Sequence, residues 1–190
     1  VCVCFFFFVC VCVCRHAFLT VPRTLRRGEG VRAGTFRFMR IIRLENGLFS
    51  INLSETEKEL VDELTRNLLI KLGNESPQTL LPRLFPEAIL NEPELESEYK
   101  AMTVHQLQNS HRKALEALNL LTSEKEISQD DFIFVIKGLN IIRLELGEVL
   151  DIDDESQTPP AGNSNQYKLW IVFQYLGQIL SQCIEAVSYT

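Results

Sequence analysis

The chain has 190 residues, 46% of them apolar, which is enough for one sizeable core and implies one domain. Its net charge of −6 is unevenly spread: residues 1–43 carry eight arginines against the single acid Glu29, while residues 44–190 hold 11 of the 19 basic and 24 of the 25 acidic side chains. A body at −13 lacks the basic patch that supplies affinity for phosphates, so direct DNA binding through it is disfavoured.

Residues 1–14, VCVCFFFFVCVCVC, are low in complexity and hold five of the six cysteines. A repeated T-G tract encodes alternating Val-Cys and a T run encodes Phe, so the segment reads as nucleotide repeat translated ahead of the true start, with Val31 or Met39 as alternative starts. As a membrane span it falls short of the ~20 residues required. As a signal peptide it has no basic region ahead of the apolar run. Its Cys-X-Cys pairs have no second cluster at zinc-ribbon spacing. Cysteines crowded at one end do not make a disulfide framework, which points to a reducing compartment. Residues 15–34 show no apolar period. The expected organisation is therefore a low-complexity, disordered stretch over 1–34 and a single helical domain over 35–187.

From Phe36 to Leu53 the pattern is that of a two-stranded hairpin. Asn46-Gly47 suits a type I′ turn with positive φ at both positions, and Phe49, Ile51 and Leu53 share one face. Two strands are marginal alone, so that face must pack on helices. Ser54 and Glu57 have capping-box spacing and open a helix to Leu72, with Leu60, Val61, Leu64, Leu68 and Leu72 as its apolar stripe and Gly73-Asn74 as its stop. Pro82 and Pro86 make the next stretch a corner, with Leu81, Leu84, Phe85 and Ile89 turned inwards.

A short helix is expected from Glu92 to Ala101, with Pro93 in its first turn. Thr103 and Gln106 have the spacing of a second capping box, predicting a break near Met102 and a new helix over 104–121 with Leu107, His111, Ala114, Leu118 and Leu121 inward. His111 on that stripe is expected to be hydrogen-bonded, and its spacing from His105 excludes an i, i+4 metal pair. Ser128 caps the central helix, about 129–150. Stepping about 100° per residue aligns Phe132, Ile136, Leu139, Leu146 and Leu150, with Arg143 in the middle of their stripe. Ile133, Ile141 and Leu144 form a second apolar side, so this helix should be buried on several sides, with Asn140 and Gly147 between the stripes. Residues 151–166 read as a mobile acidic and Pro/Gly/Asn-rich loop. The last helix, about 165–187, should turn Trp170, Phe173, Gly177, Leu180 and Ile184 to one side. The fold class is mainly α: about four to six helices around a central buried helix, with an N-terminal two-stranded hairpin.

Few residues suggest chemistry. A buried Arg143 keeps its charge and needs a partner, and Glu98 is the first candidate, then Glu96 or Glu94. The alternative is an anion or ligand site at Arg143, with Asn140 nearby. There is no phosphate loop, no G-x-S-x-G elbow and no H-E-x-x-H, and the acid pairs do not follow calcium-loop spacing, so neither an enzyme nor a cofactor or metal site is indicated. Cys183 is the one thiol of the body. It reads as a small buried apolar group, with a redox role as the sharper alternative.

Four segments carry a resemblance: Arg83-Leu84-Phe85-Pro86-Glu87-Ala88, Glu98-Tyr99-Lys100-Ala101-Met102-Thr103, Leu139 through Gly147 (LNIIRLELG), and Tyr167-Lys168-Leu169-Trp170. With these in order, the chain from about 38 to 186 resembles an actinobacterial helical family of unknown function whose members are described as AosR-type oxidative-stress transcriptional regulators. The resemblance implies a cytoplasmic, non-enzymatic regulator acting through a protein partner, such as a sigma factor or another transcription component, with homodimerisation compatible. A thiol switch is attributed to some relatives, and this body departs from it, because Cys183 has no neighbouring cysteine in sequence. The alternative reading is a helical small-molecule or anion-binding domain centred on Arg143.

Overall fold

The computed structural model describes residues 40–152, 159–162 and 164–188. The readings for residues 1–39, including Phe36 and Phe38 of the first strand, lie outside these residues, as does the middle of the 151–166 loop.

Strands β1 (Arg40–Arg43) and β2 (Phe49–Asn52) pair antiparallel, with Ile41 opposite Ile51 and Arg43 opposite Phe49. The expected alternation holds: Phe49, Ile51 and Leu53 are buried. The turn differs from the type I′ expectation. Leu44 N donates to Leu48 O at 2.8 Å and Gly47 N to Leu44 O at 3.0 Å, which encloses three residues, and of these only Gly47 has positive φ (+81°). This is the longer loop in which one left-handed glycine follows an ordinary turn. Asn46 contributes through its side chain, which accepts from Leu48 N at 3.1 Å. The sheet gains a third partner from far along the chain. Phe49 and Ile127 exchange both backbone hydrogen bonds at 2.8 Å, and Phe49 stacks on Phe132 at 4.2 Å.

The described helices are α1 (Glu55–Leu72), the one-turn α2 (Pro77–Leu80), α3 (Pro93–Glu116), the one-turn α4 (Leu120–Ser123), α5 (Gln129–Val149) and α6 (Asn165–Ser188). Short 3₁₀ turns lie at Pro82–Leu84 and Ala117–Asn119. Glu57 bonds back to the Ser54 amide at 2.6 Å, as the capping box requires. The break expected near Met102 does not occur. Thr103 sits inside α3 and its hydroxyl donates to Tyr99 O at 2.8 Å, one turn back, instead of capping a new helix. No proline or glycine interrupts 94–116, so helix propensity carries the chain through.

Helix α5 is the centre. It packs on α3 and α6, on the turn at Ala117–Asn119 and on the Pro82–Leu84 corner. Its deepest positions are Phe132, Val135, Leu139, Ile142 and Leu146, while Ile133, Ile136 and Leu144 are only half-buried. Burial is thus centred nearer Val135 and Ile142 than the helical wheel placed it. Gly138 explains the close contact with α3: a Cβ there would stand 2.4 Å from Ala114 O. α5 ends without glycine. Asp151 takes positive φ (51°), and the amides of Asp151 and Ile152 return to Glu148 O and Gly147 O in a Schellman arrangement. On α6 the buried residues are Phe173, Leu176, Ile179, Leu180 and Cys183, with Trp170, Gly177 and Ile184 half-buried, so this helix too is rotated from the expected face.

Candidate functional site

Arg143 is buried, 8% exposed, between α5 and α6. Its guanidinium carbon stands 4.3 Å from the centroid of the Phe173 ring, and Gly177 leaves the space that Nε occupies, since a Cβ there would lie 3.3 Å away. The positive charge is therefore held on an aromatic face. The expected pair with Glu98 is not formed: Glu98 is exposed on α3, and no salt bridge joins Arg143 to a described carboxylate. Helical phase explains this, because the buried side of α3 carries Glu96 and Glu98 lies two residues further round. Nε has no hydrogen-bond partner among the described residues. Asn140 is half-buried one turn before Arg143.

Elsewhere the acids and bases of the interior fasten helices together. Glu57, 4% exposed, accepts from the Tyr175 hydroxyl at 2.6 Å and so joins α1 to α6. Burial pushes its carboxyl up, but the bonds from Tyr175 and Ser54 outweigh this and hold it below its ordinary value. Burial, and then the same carboxylate, push the Tyr175 phenol upwards. Glu145 is paired with Lys71, joining α5 to α1. None of these long-range partners is visible in local sequence spacing.

The motif segments 83–88 and 98–103 meet at one corner. Arg83 donates to Glu148 Oε2 at 2.6 Å and to Ile152 O at 2.7 Å, closing the end of α5, and Gly147 admits it, since a Cβ there would be 2.9 Å from Nη1. Glu96 is 6% exposed and accepts from the amides of Ile89 at 2.8 Å and Ala88 at 3.1 Å. The Ile89 amide does most to hold its carboxyl below the ordinary range, against burial, and Lys100, 3.3 Å from the other oxygen, helps. His111 is hydrogen-bonded as expected: Nε2–H donates to Leu84 O at 3.0 Å and the ring meets Phe85 edge-on. Burial lowers its pKa, against the Leu84 contact, so the ring is neutral at pH 7. Between the two segments lies a shallow cleft of about 10 Å³, room for one water, lined by Gln78, Phe85, Pro86, Tyr99, Lys100 and Thr103 among others.

Cys183 is fully buried and its thiol is pushed up to about 12, so it stays protonated at neutral pH and unreactive as a nucleophile. Among the described residues, no three His, Cys, Asp or Glu side chains are placed to hold a metal ion, and no helix is long and apolar enough to cross a membrane.

What sequence reasoning did not single out is the outer face of α3. Leu95, Tyr99 and Met102 are 46%, 39% and 76% exposed, with Leu90 of the preceding loop at 71%. Their i, i+4, i+7 spacing was the available signal, hidden by the expected helix break.

No curated protein and no solved structure matches the chain. The profile of a family described as a domain of unknown function, DUF2017, covers residues 39–187, which span the hairpin, the corner at Arg83, the Arg143 helix and all but the last residue of α6, and the chain belongs to that family.

Proposed function

We propose that this domain is a non-enzymatic interaction module of a transcription regulator, AosR-like in responding to oxidative stress. It would act in the cytoplasm through a protein partner such as a sigma factor or another transcription component. The observation that carries this reading is the contrast between inside and outside. The buried carboxylates are engaged within the fold (Glu57 with Tyr175 and Glu145 with Lys71 between helices, Glu96 with the Ala88 and Ile89 amides of the preceding loop), while large apolar side chains on α3 face solvent. Exposed apolar residues gathered on one face are a mark of protein contacts. The acidic body adds support, since it suits a basic protein surface better than a nucleic acid.

The test is affinity capture of the full chain after in-cell cross-linking in the native host, with and without peroxide. Enrichment of an RNA polymerase or sigma subunit is the expected outcome; reproducible captures without any transcription component refute the reading. A second reading, an anion site at Arg143, is favoured by one observation, that Nε has no hydrogen-bond partner among the described residues. Its mark would be a rise in melting temperature with phosphate that Arg143→Met abolishes.

A further inference from the structure

Exposed leucines are common one at a time; three large apolar side chains lined up at one end of one helix are not. Taking Leu95 as 0° and stepping ~100° per residue, Tyr99 falls near 40° and Met102 near −20°, so the three make one narrow stripe. The buried residues of the same helix, Glu96, Ala114 and Leu115, fall at ~100–200°, so the stripe is turned away from the core. Leu90, three residues ahead of this helix, is exposed as well. Glu94 and Glu98, both exposed, run along one flank, and Glu87 and Glu92 lie exposed on the loop that leads in. Lys100, the one base nearby on this helix turn, is engaged by Glu96 and Glu87 at 3.3 and 3.9 Å. Tyr99 also lines the shallow cleft, where Gln78 Oε1 is buried and has no hydrogen-bond partner among the described residues. The surface thus offers an apolar strip and an acidic border.

Resting on the interaction reading above, we propose that the Leu90–Met102 face is the docking surface for a basic amphipathic helix of another protein. Its apolar side lies on Leu95, Tyr99 and Met102, and its lysines or arginines meet Glu94 and Glu98. Charge complementarity selects this occupant: anionic lipid and nucleic acid meet the same glutamates as repulsion.

The probe is a synthetic peptide of about 18 leucines and lysines at helical spacing, titrated into the full isotope-labelled chain and followed by amide shifts. An isomer of equal composition with dispersed leucines serves as control. Shifts are expected at Leu95, Tyr99 and Met102, with affinity falling as salt rises. Met102→Glu separates the docking from simple charge attraction. It makes the face more acidic yet removes apolar contact, so affinity is expected to fall by roughly tenfold or more while the melting temperature is kept. Equal or tighter binding by this variant, equal binding of the isomer, or shifts on another face overturns the proposal. So does a concentration-dependent dimer that Met102→Glu abolishes, since the occupant would then be a second copy. A transcription partner captured equally by Met102→Glu overturns this surface and leaves the broader function standing; failure to capture one refutes the broader function, while the titration still decides the surface.

Discussion

Replacing Gly138 by alanine should destabilise the protein even though alanine is the better helix former. The gain in helix propensity is about 1 kcal/mol. Against it, the new Cβ would stand 2.4 Å from Ala114 O and 2.8 and 3.0 Å from Leu118 Cγ and Cδ2. Leu118 has rotamers to give, but Ala114 O is helix backbone and cannot turn aside. Reaching even 3.4 Å, where ordinary contact begins, requires α3 and α5 to part by about 1 Å. A gap of that size forfeits about a quarter to a half of the dispersion energy of each contact it opens, and this interface includes Leu115, Leu118, Val135, Leu139 and Ile142, all nearly inaccessible. Overpacking ordinarily costs about 1–3 kcal/mol, and a backbone clash belongs at the upper end, for a net loss of about 2 kcal/mol. At this size that corresponds to a melting temperature lower by roughly 4–8 °C. Urea and thermal unfolding followed by circular dichroism measure it. Gly147→Ala is the control: its nearest obstacle is Arg83 Nη1 at 2.9 Å, the end of a flexible side chain, so its effect should stay within about 1 kcal/mol. A Gly138→Ala protein as stable as the parent, with an unchanged denaturant slope, refutes the reasoning.

Tyr175→Phe removes the 2.6 Å bond to Glu57 and should cost about 1–3 kcal/mol at pH 7. Because the folded pKa of Glu57 is lowered, its contribution is present above the ordinary value of 4.5 and lost as pH falls through the folded value. The difference between parent and variant should therefore shrink in urea melts below pH 4.5, and a difference that grows there contradicts the assignment. Cys183, buried with its thiol at about 12, should resist alkylation at pH 8 until the chain unfolds, read at the Cys183 peptide by mass spectrometry; rapid native labelling would show that the helix opens. Arg143→Met should keep the fold within about 1.5 kcal/mol, since a side chain of similar length still covers Phe173 and a buried charge with no carboxylate partner among the described residues contributes little. A loss above about 3 kcal/mol would mean that the charge itself holds α5 to α6.

Local signals determined a good deal of this protein from the sequence alone. Alternation placed Phe49, Ile51 and Leu53 inward, the Ser54–Glu57 spacing started α1, and an apolar pattern on nearly every side marked residues 129–150 as the central helix. Each depends on neighbours within one or two turns, and that is why each was legible. The same locality misled at Thr103, where capping spacing lost in a stretch with no proline or glycine to stop the helix, and at Asn46, where a turn that needed one left-handed residue was read as needing two. The tertiary structure alone decided where charges go. It put Glu57 beside Tyr175, Arg83 at the end of α5, Lys71 on Glu145, and Arg143 on Phe173 instead of Glu98. Partners so far apart in the chain are chosen by how helices rotate and cross, and helical periodicity narrows a buried face without setting its angle. The same rotation leaves Leu95, Tyr99 and Met102 in solvent: only packed neighbours show which apolar stripe the core uses and which it leaves outside.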